Sequence, residues 1–63
     1  MFIELNGILY NKRLIGKVYD STLEKEDGSI VYTAEYELLS GERVICEFNS
    51  ESERGAAINE FIG

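Results

Sequence analysis

The chain reads as an α+β domain: an antiparallel meander sheet of four to five strands with one C-terminal helix packed on one face. Three observations predict it. Ile30 to Leu39 is the longest alternating run, it carries a turn signal at each end, and after Phe48 the spacing of apolar residues changes from strand-like to helix-like.

The first element is a short ribbon. Met1 to Tyr10 contains Asn6-Gly7, a pair suited to the positive φ angles of a type I′ turn, which would set Leu5 opposite Ile8 and Ile3 opposite Tyr10. The alternative is one strand kinked at Gly7. Asn11 to Ile15 lacks a period of two and is expected to form a connecting turn, with Leu14 or Ile15 tucked under the sheet. Gly16 then opens the second long strand.

In the central strand, alternation puts Ile30, Tyr32, Ala34, Tyr36 and Leu38 on the core side. Val31, Thr33, Glu35, Glu37 and Leu39 share the other side. Upstream, Asp27-Gly28 signals a primed hairpin turn, which would place Leu23 opposite Tyr32, Ser21 opposite Ala34 and Tyr19 opposite Tyr36. Downstream, Leu39-Ser40-Gly41 fits a three-residue hairpin loop with Gly in the left-handed position. That loop sets Val44 opposite Tyr36, Cys46 opposite Ala34 and Phe48 opposite Tyr32. A slip of one residue would turn all three outward, so the pattern selects the register.

The helix starts after Asn49. Ser50 is its N-cap, Glu53 completes a capping box, and Glu51 and Glu53 suit the positive end of the helix. Ala57, Ile58, Phe61 and Ile62 form one apolar stripe that would cover the sheet. Gly55 weakens the helix by up to about 1 kcal/mol relative to Ala, which suggests close approach to a strand or a second subunit.

Length and composition narrow the function. A chain of 63 residues is expected to form a single domain, 1–63, too small to bury much of its surface alone. One Cys permits no internal disulfide, and the absence of His removes zinc-finger ligands and every Ser-His or Cys-His pair. Self-association is the remaining staple, so a homo-oligomer is expected. The glycines form no phosphate-binding loop. The segment Asp20 to Lys25 has alternating oxygens, but Lys25 stands where a calcium loop requires Gly. Cys46 shares the inner face with Val44 and Phe48 and reads as a packed, inert thiol. The reading is therefore of a protein without catalytic residues, metal or cofactor. No leader pattern and no apolar run of membrane-spanning length is present, so the expected setting is cytoplasmic, with no membrane partner.

The formal charge is −6 and it is uneven. Residues 1–25 hold Lys12, Arg13, Lys17 and Lys25 against Glu4, Asp20 and Glu24, whereas residues 26–63 hold only Arg43 and Arg54 against nine carboxylates. Such a balance disfavours direct nucleic-acid binding, which needs a basic surface. In the expected register Asp20 lies opposite Glu35, with Glu37 two residues along and Glu47 diagonal on the next strand. Like charges so placed destabilise a sheet. Asp20, Glu35, Glu37 and Glu47 are thus either a solvated face partly neutralised by Lys17 or Arg43, or a protein-binding patch for a basic partner. On the inner face Tyr19, Tyr32, Tyr36 and Phe48 read as core, with tyrosine hydroxyls wet at a subunit interface. The leading expectation is a non-enzymatic, self-associating protein-protein interaction module. The alternative is an acidic, DNA-mimic-type inhibitor of a nucleic-acid-binding protein.

The stretches Met1-Phe2-Ile3-Glu4-Leu5-Asn6-Gly7 and Phe48-Asn49-Ser50-Glu51-Ser52-Glu53 resemble those of a group of small uncharacterised bacterial and prophage proteins. The chain is also loosely similar to small flagellar-operon proteins with a Leu-Asn-Gly start, although Ser40-Gly41-Glu42 replaces their later basic turn. The resemblance implies a sheet-plus-helix fold and a phage or mobile-element setting. It carries no site residues.

Overall fold

A computed structural model describes residues 1–63. Its elements run β1 (Phe2–Leu5), β2 (Ile8–Asn11), a single 3-10 turn (Lys12–Leu14), β3 (Ile15–Glu24), β4 (Ile30–Leu38), β5 (Arg43–Phe48) and α1 (Glu51–Ile62). The five strands fall into two sheets rather than one. A two-stranded ribbon, β1-β2, stands apart from a three-stranded meander in the order β3-β4-β5.

The ribbon turns as its sequence predicts. Asn6 and Gly7 take φ of 53° and 82°, and Leu5 meets Ile8 while Ile3 meets Tyr10. The β4-β5 pairing also follows the pattern, with Tyr36 opposite Val44, Ala34 opposite Cys46 and Tyr32 opposite Phe48. Gly41, at φ 96°, is the left-handed residue of the expected loop.

The β3-β4 pairing departs by one residue. Leu23 faces Val31, Thr22 faces Tyr32, Asp20 faces Ala34 and Tyr19 faces Glu35. The cause is the loop. Lys25 N–H donates to Ser29 O and Gly28 N–H to Lys25 O, so Glu26-Asp27-Gly28 makes a three-residue turn in place of the primed two-residue one. Only Gly28 is left-handed there, at φ 87°, while the Asp27 carboxylate accepts from both the backbone N–H and the hydroxyl of Ser29. An odd loop shifts the register by one, and a shift of one reverses every side chain on the strand. Tyr19 therefore leaves the inner face and Asp20 enters it. At the start of β3 a bulge between Ile15 and Lys17 restores an inward Ile15 opposite Leu38. A Cβ at Gly16 would lie 2.9 Å from Leu39 Cδ2, so the exposed Leu39 side chain would have to move aside to admit one.

The core lies between the inner sheet face, the ribbon and the helix. Ala34 and Tyr36 are wholly buried, joined by Ile3, Leu5, Leu38, Val44 and Cys46, and Tyr10, Ile15, Val18, Phe48, Ile58 and Phe61 pack around them. Each large apolar side chain so enclosed stabilises the fold by about 1.5–3 kcal/mol. Of the connecting residues Ile15 is the one tucked in, while Leu14 is half exposed. Ser50 caps α1 by accepting from Glu53 N–H, but Glu53 answers to the N–H of Asn49, one residue earlier than a standard capping box. The helix packs through Ile58 and Phe61, whereas Ile62 points outward. Nothing approaches Gly55 within 4 Å of where a Cβ would be, so close packing inside the chain does not explain that glycine.

Candidate interaction surface

Ribbon and helix both cover the inner face, leaving the outer face of the meander bare. Across it, β3 contributes Lys17, Tyr19, Ser21 and Leu23, β4 contributes Val31, Thr33, Glu35 and Glu37, and β5 contributes Arg43, Ile45 and Glu47. The surface mixes two chemistries. Tyr19, Leu23 and Ile45 are each roughly half exposed, which makes them available for burial against a partner.

Of the four acidic residues singled out above, three share this face. Glu35 and Glu37 point outward from β4, and Glu47 lies beside them, opposite Thr33. Asp20 does not join them, because the register places it opposite Ala34 on the inner side. Two of these carboxylates are not bare either. Arg43 reaches Glu35 and Glu37 at 3.2 Å each, so one guanidinium offsets the repulsion between two acids. Such exposed pairs contribute about 0–1 kcal/mol.

Asp20 belongs to a different cluster. Arg54, from the first turns of α1, is the one buried charged residue, and it donates from Nη1 to Ser21 O at 2.7 Å. Its other nitrogen stands 4.0 Å from Asp20 and 3.9 Å from Glu51, and the guanidinium lies over the Tyr32 ring at 5.4 Å. This arrangement ties the helix to β3. A charged side chain is rarely buried without partners. The signal for Arg54 was its spacing from Ile58 and Phe61, which puts all three on one side of the helix.

Two further polar groups, Tyr36 and Cys46, are buried in the core. Tyr36 meets Phe61 edge to face at 5.9 Å, and its hydroxyl has no partner, so its tip is not wet as expected. Burial chiefly pushes the Tyr36 phenol up from its ordinary value, helped by Cys46 and Glu60. The Cys46 thiol is likewise raised by burial, against an opposing hydrogen bond from the Asn6 backbone. A thiol held protonated is a poor nucleophile. No pocket opens anywhere on the molecule, and no helix is long and apolar enough to cross a membrane.

Comparison with protein-family models, characterised proteins and solved structures finds no match.

Proposed function

We propose that the chain is a non-enzymatic protein-protein interaction module that self-associates, in the phage or mobile-element setting its resemblance implies. The observation that carries this reading is the bare outer face, where Tyr19, Leu23 and Ile45 stand exposed among paired charges while all covering elements sit on the other side. A small domain gains stability by burying such a face against another copy. Sizing with light scattering across a wide concentration range tests it. A species of twice the chain mass or more is expected, and a monomer at every concentration would overturn the reading.

A second reading is an acidic inhibitor that occupies the basic groove of a nucleic-acid-binding protein. The grouping of Glu35, Glu37 and Glu47 on one face favours it, while the ion pairs of Glu35 and Glu37 with Arg43 weaken it. A basic protein captured at low salt and released at high salt is its signature. Self-association of a chain of charge −6 has the opposite dependence, because salt screens the repulsion between like-charged copies.

A further inference from the structure

β3 is an edge strand, with β4 as its only hydrogen-bonded neighbour. The bond from Lys25 N–H to Ser29 O closes the hairpin, and the alternation of an antiparallel ladder then directs the main-chain groups of the odd-numbered β3 residues toward β4. The N–H and C=O groups of Val18, Asp20, Thr22 and Glu24 face away from the sheet, and no main-chain bond outside the ladder reaches them. An open row of this kind is a template for another strand.

We infer that β3 pairs with β3 of a second copy, antiparallel and centred on Ser21, joining two meanders into one six-stranded sheet. The inference rests on the self-association reading and gives it a different geometry from face-to-face contact: the edge pairs, Tyr19 and Leu23 of the outer face are covered, and Ile45 is not. The free groups belong to even-numbered residues, so even must meet even, and the side chains brought together in the middle of the pairing select among the few registers left. Centring on Asp20 sets that carboxylate against itself, and centring on Thr22 sets Asp20 against the partner's Glu24 twice. Centring on Ser21 sets Asp20 against the partner's Thr22, whose hydroxyl can donate to it. On the outer face the same register lays Tyr19 across from the partner's Leu23, and Leu23 across from the partner's Tyr19. Two exposed apolar side chains thereby cover each other. Lys17 meets the partner's Lys25 at the ends of the pairing, where Glu37 stands beside Lys17 across the ladder. The two-fold axis is perpendicular to the sheet, so both helices lie on the same side of it.

Thr22→Pro tests the geometry. Its N–H points outward, so proline there removes a donor to the second copy without removing a bond to β4. Two symmetry-related hydrogen bonds go at once, and dimer dissociation should rise at least about tenfold in sedimentation equilibrium. Leu23→Ser should weaken the dimer in the same direction, while Ile45→Ser, on the far strand, should leave it intact. Amide exchange gives an independent readout: Val18, Asp20, Thr22 and Glu24 should be protected at high concentration and exposed on dilution. If Thr22→Pro fails to fold, Leu23→Ser and the exchange pattern decide. Wild-type dimers whose four amides exchange equally fast at all concentrations, or a folded Thr22→Pro that dimerises as the wild type does, would overturn the edge pairing and leave self-association through the outer face standing. A wild-type chain that stays monomeric would remove both.

Discussion

The two edges of the meander have opposite fates. Along β5 the ribbon lies close: the Asn6 side chain donates to Ile45 O at 2.9 Å, and Ile3 and Leu5 bury themselves against Val44 and Cys46. Along β3 no such bond reaches the outward row. The hydrogen bond from the helix to that strand is made by Arg54, which bonds to Ser21 O from above the inner face and leaves the outward row unpaired. A sheet edge is a liability unless covered, twisted or charged. Here the outward row of one edge accepts a side-chain bond from the ribbon, at Ile45, whereas the outward row of the other accepts none.

The comparison is broken most severely at Leu5, which is 4% exposed and anchors the ribbon. Leu5→Ala should cost about 2–5 kcal/mol. For a domain of this size the melting temperature should then fall by more than about 10 °C. With the ribbon loosened from β5, light scattering should also show species larger than a dimer; an unchanged size distribution would mean that the ribbon does not protect that edge. Arg54→Ala acts on the other side. It removes a charge-assisted hydrogen bond and the stacking on Tyr32, at about 1.5–3 kcal/mol. Amide exchange should quicken first in Ser21 to Leu23, and uniform quickening across the chain would contradict a local clamp. A finer cut is Asn6→Gly, which keeps the positive φ and deletes only the bond to Ile45. Denaturant titration should find a loss of about 0.5–1.5 kcal/mol.

Alkaline pH should act on the core where β4 meets β5, at Tyr36 and Cys46. The unfolded chain releases the Cys46 and Tyr36 protons near the ordinary values of 9.0 and 10.0, whereas the folded chain holds them to higher pH. The native state then binds more protons than the unfolded state, so stability falls as pH rises through and above that window. Melts at pH 7 and pH 10.5 check the sign, and a Tyr36→Phe, Cys46→Ala double variant should flatten the difference. The smallest effect, and the control, is Gly55→Ala. With open space around the position, the change should stabilise the helix by up to about 1 kcal/mol and leave the oligomeric state unchanged.

How far the fold could be read from the residues differs between the two hairpins for a physical reason. In β5, Val44, Cys46 and Phe48 alternate cleanly with Arg43, Ile45 and Glu47, so only one register buries three apolar side chains. In β3, Val18 sits on one side while Tyr19 and Leu23 sit on the other, so neither face is decisively apolar and the turn alone sets the register. Asp27-Gly28 is compatible with two turn lengths. The choice between them depends on the Asp27 carboxylate capturing Ser29, a local competition that hydrophobic pattern does not report. From that one ambiguity came both the misplacement of Asp20 in the acidic patch and the assignment of Tyr19 to the core. Arg54 was hidden differently. A charged residue in the first half of a helix reads as solvated unless the strand carbonyl it meets is known.

From Ser21 to Ile30 every residue is exposed, and the enclosed side chains of the meander begin at Ala34. The chain is thus a packed body with an unsupported finger, and little of the folding free energy is stored beyond the Arg54 contact. An epitope or a fluorophore-bearing loop spliced between Glu26 and Asp27 should leave the melting temperature of the body unchanged, making the fingertip the natural handle by which to hold this molecule.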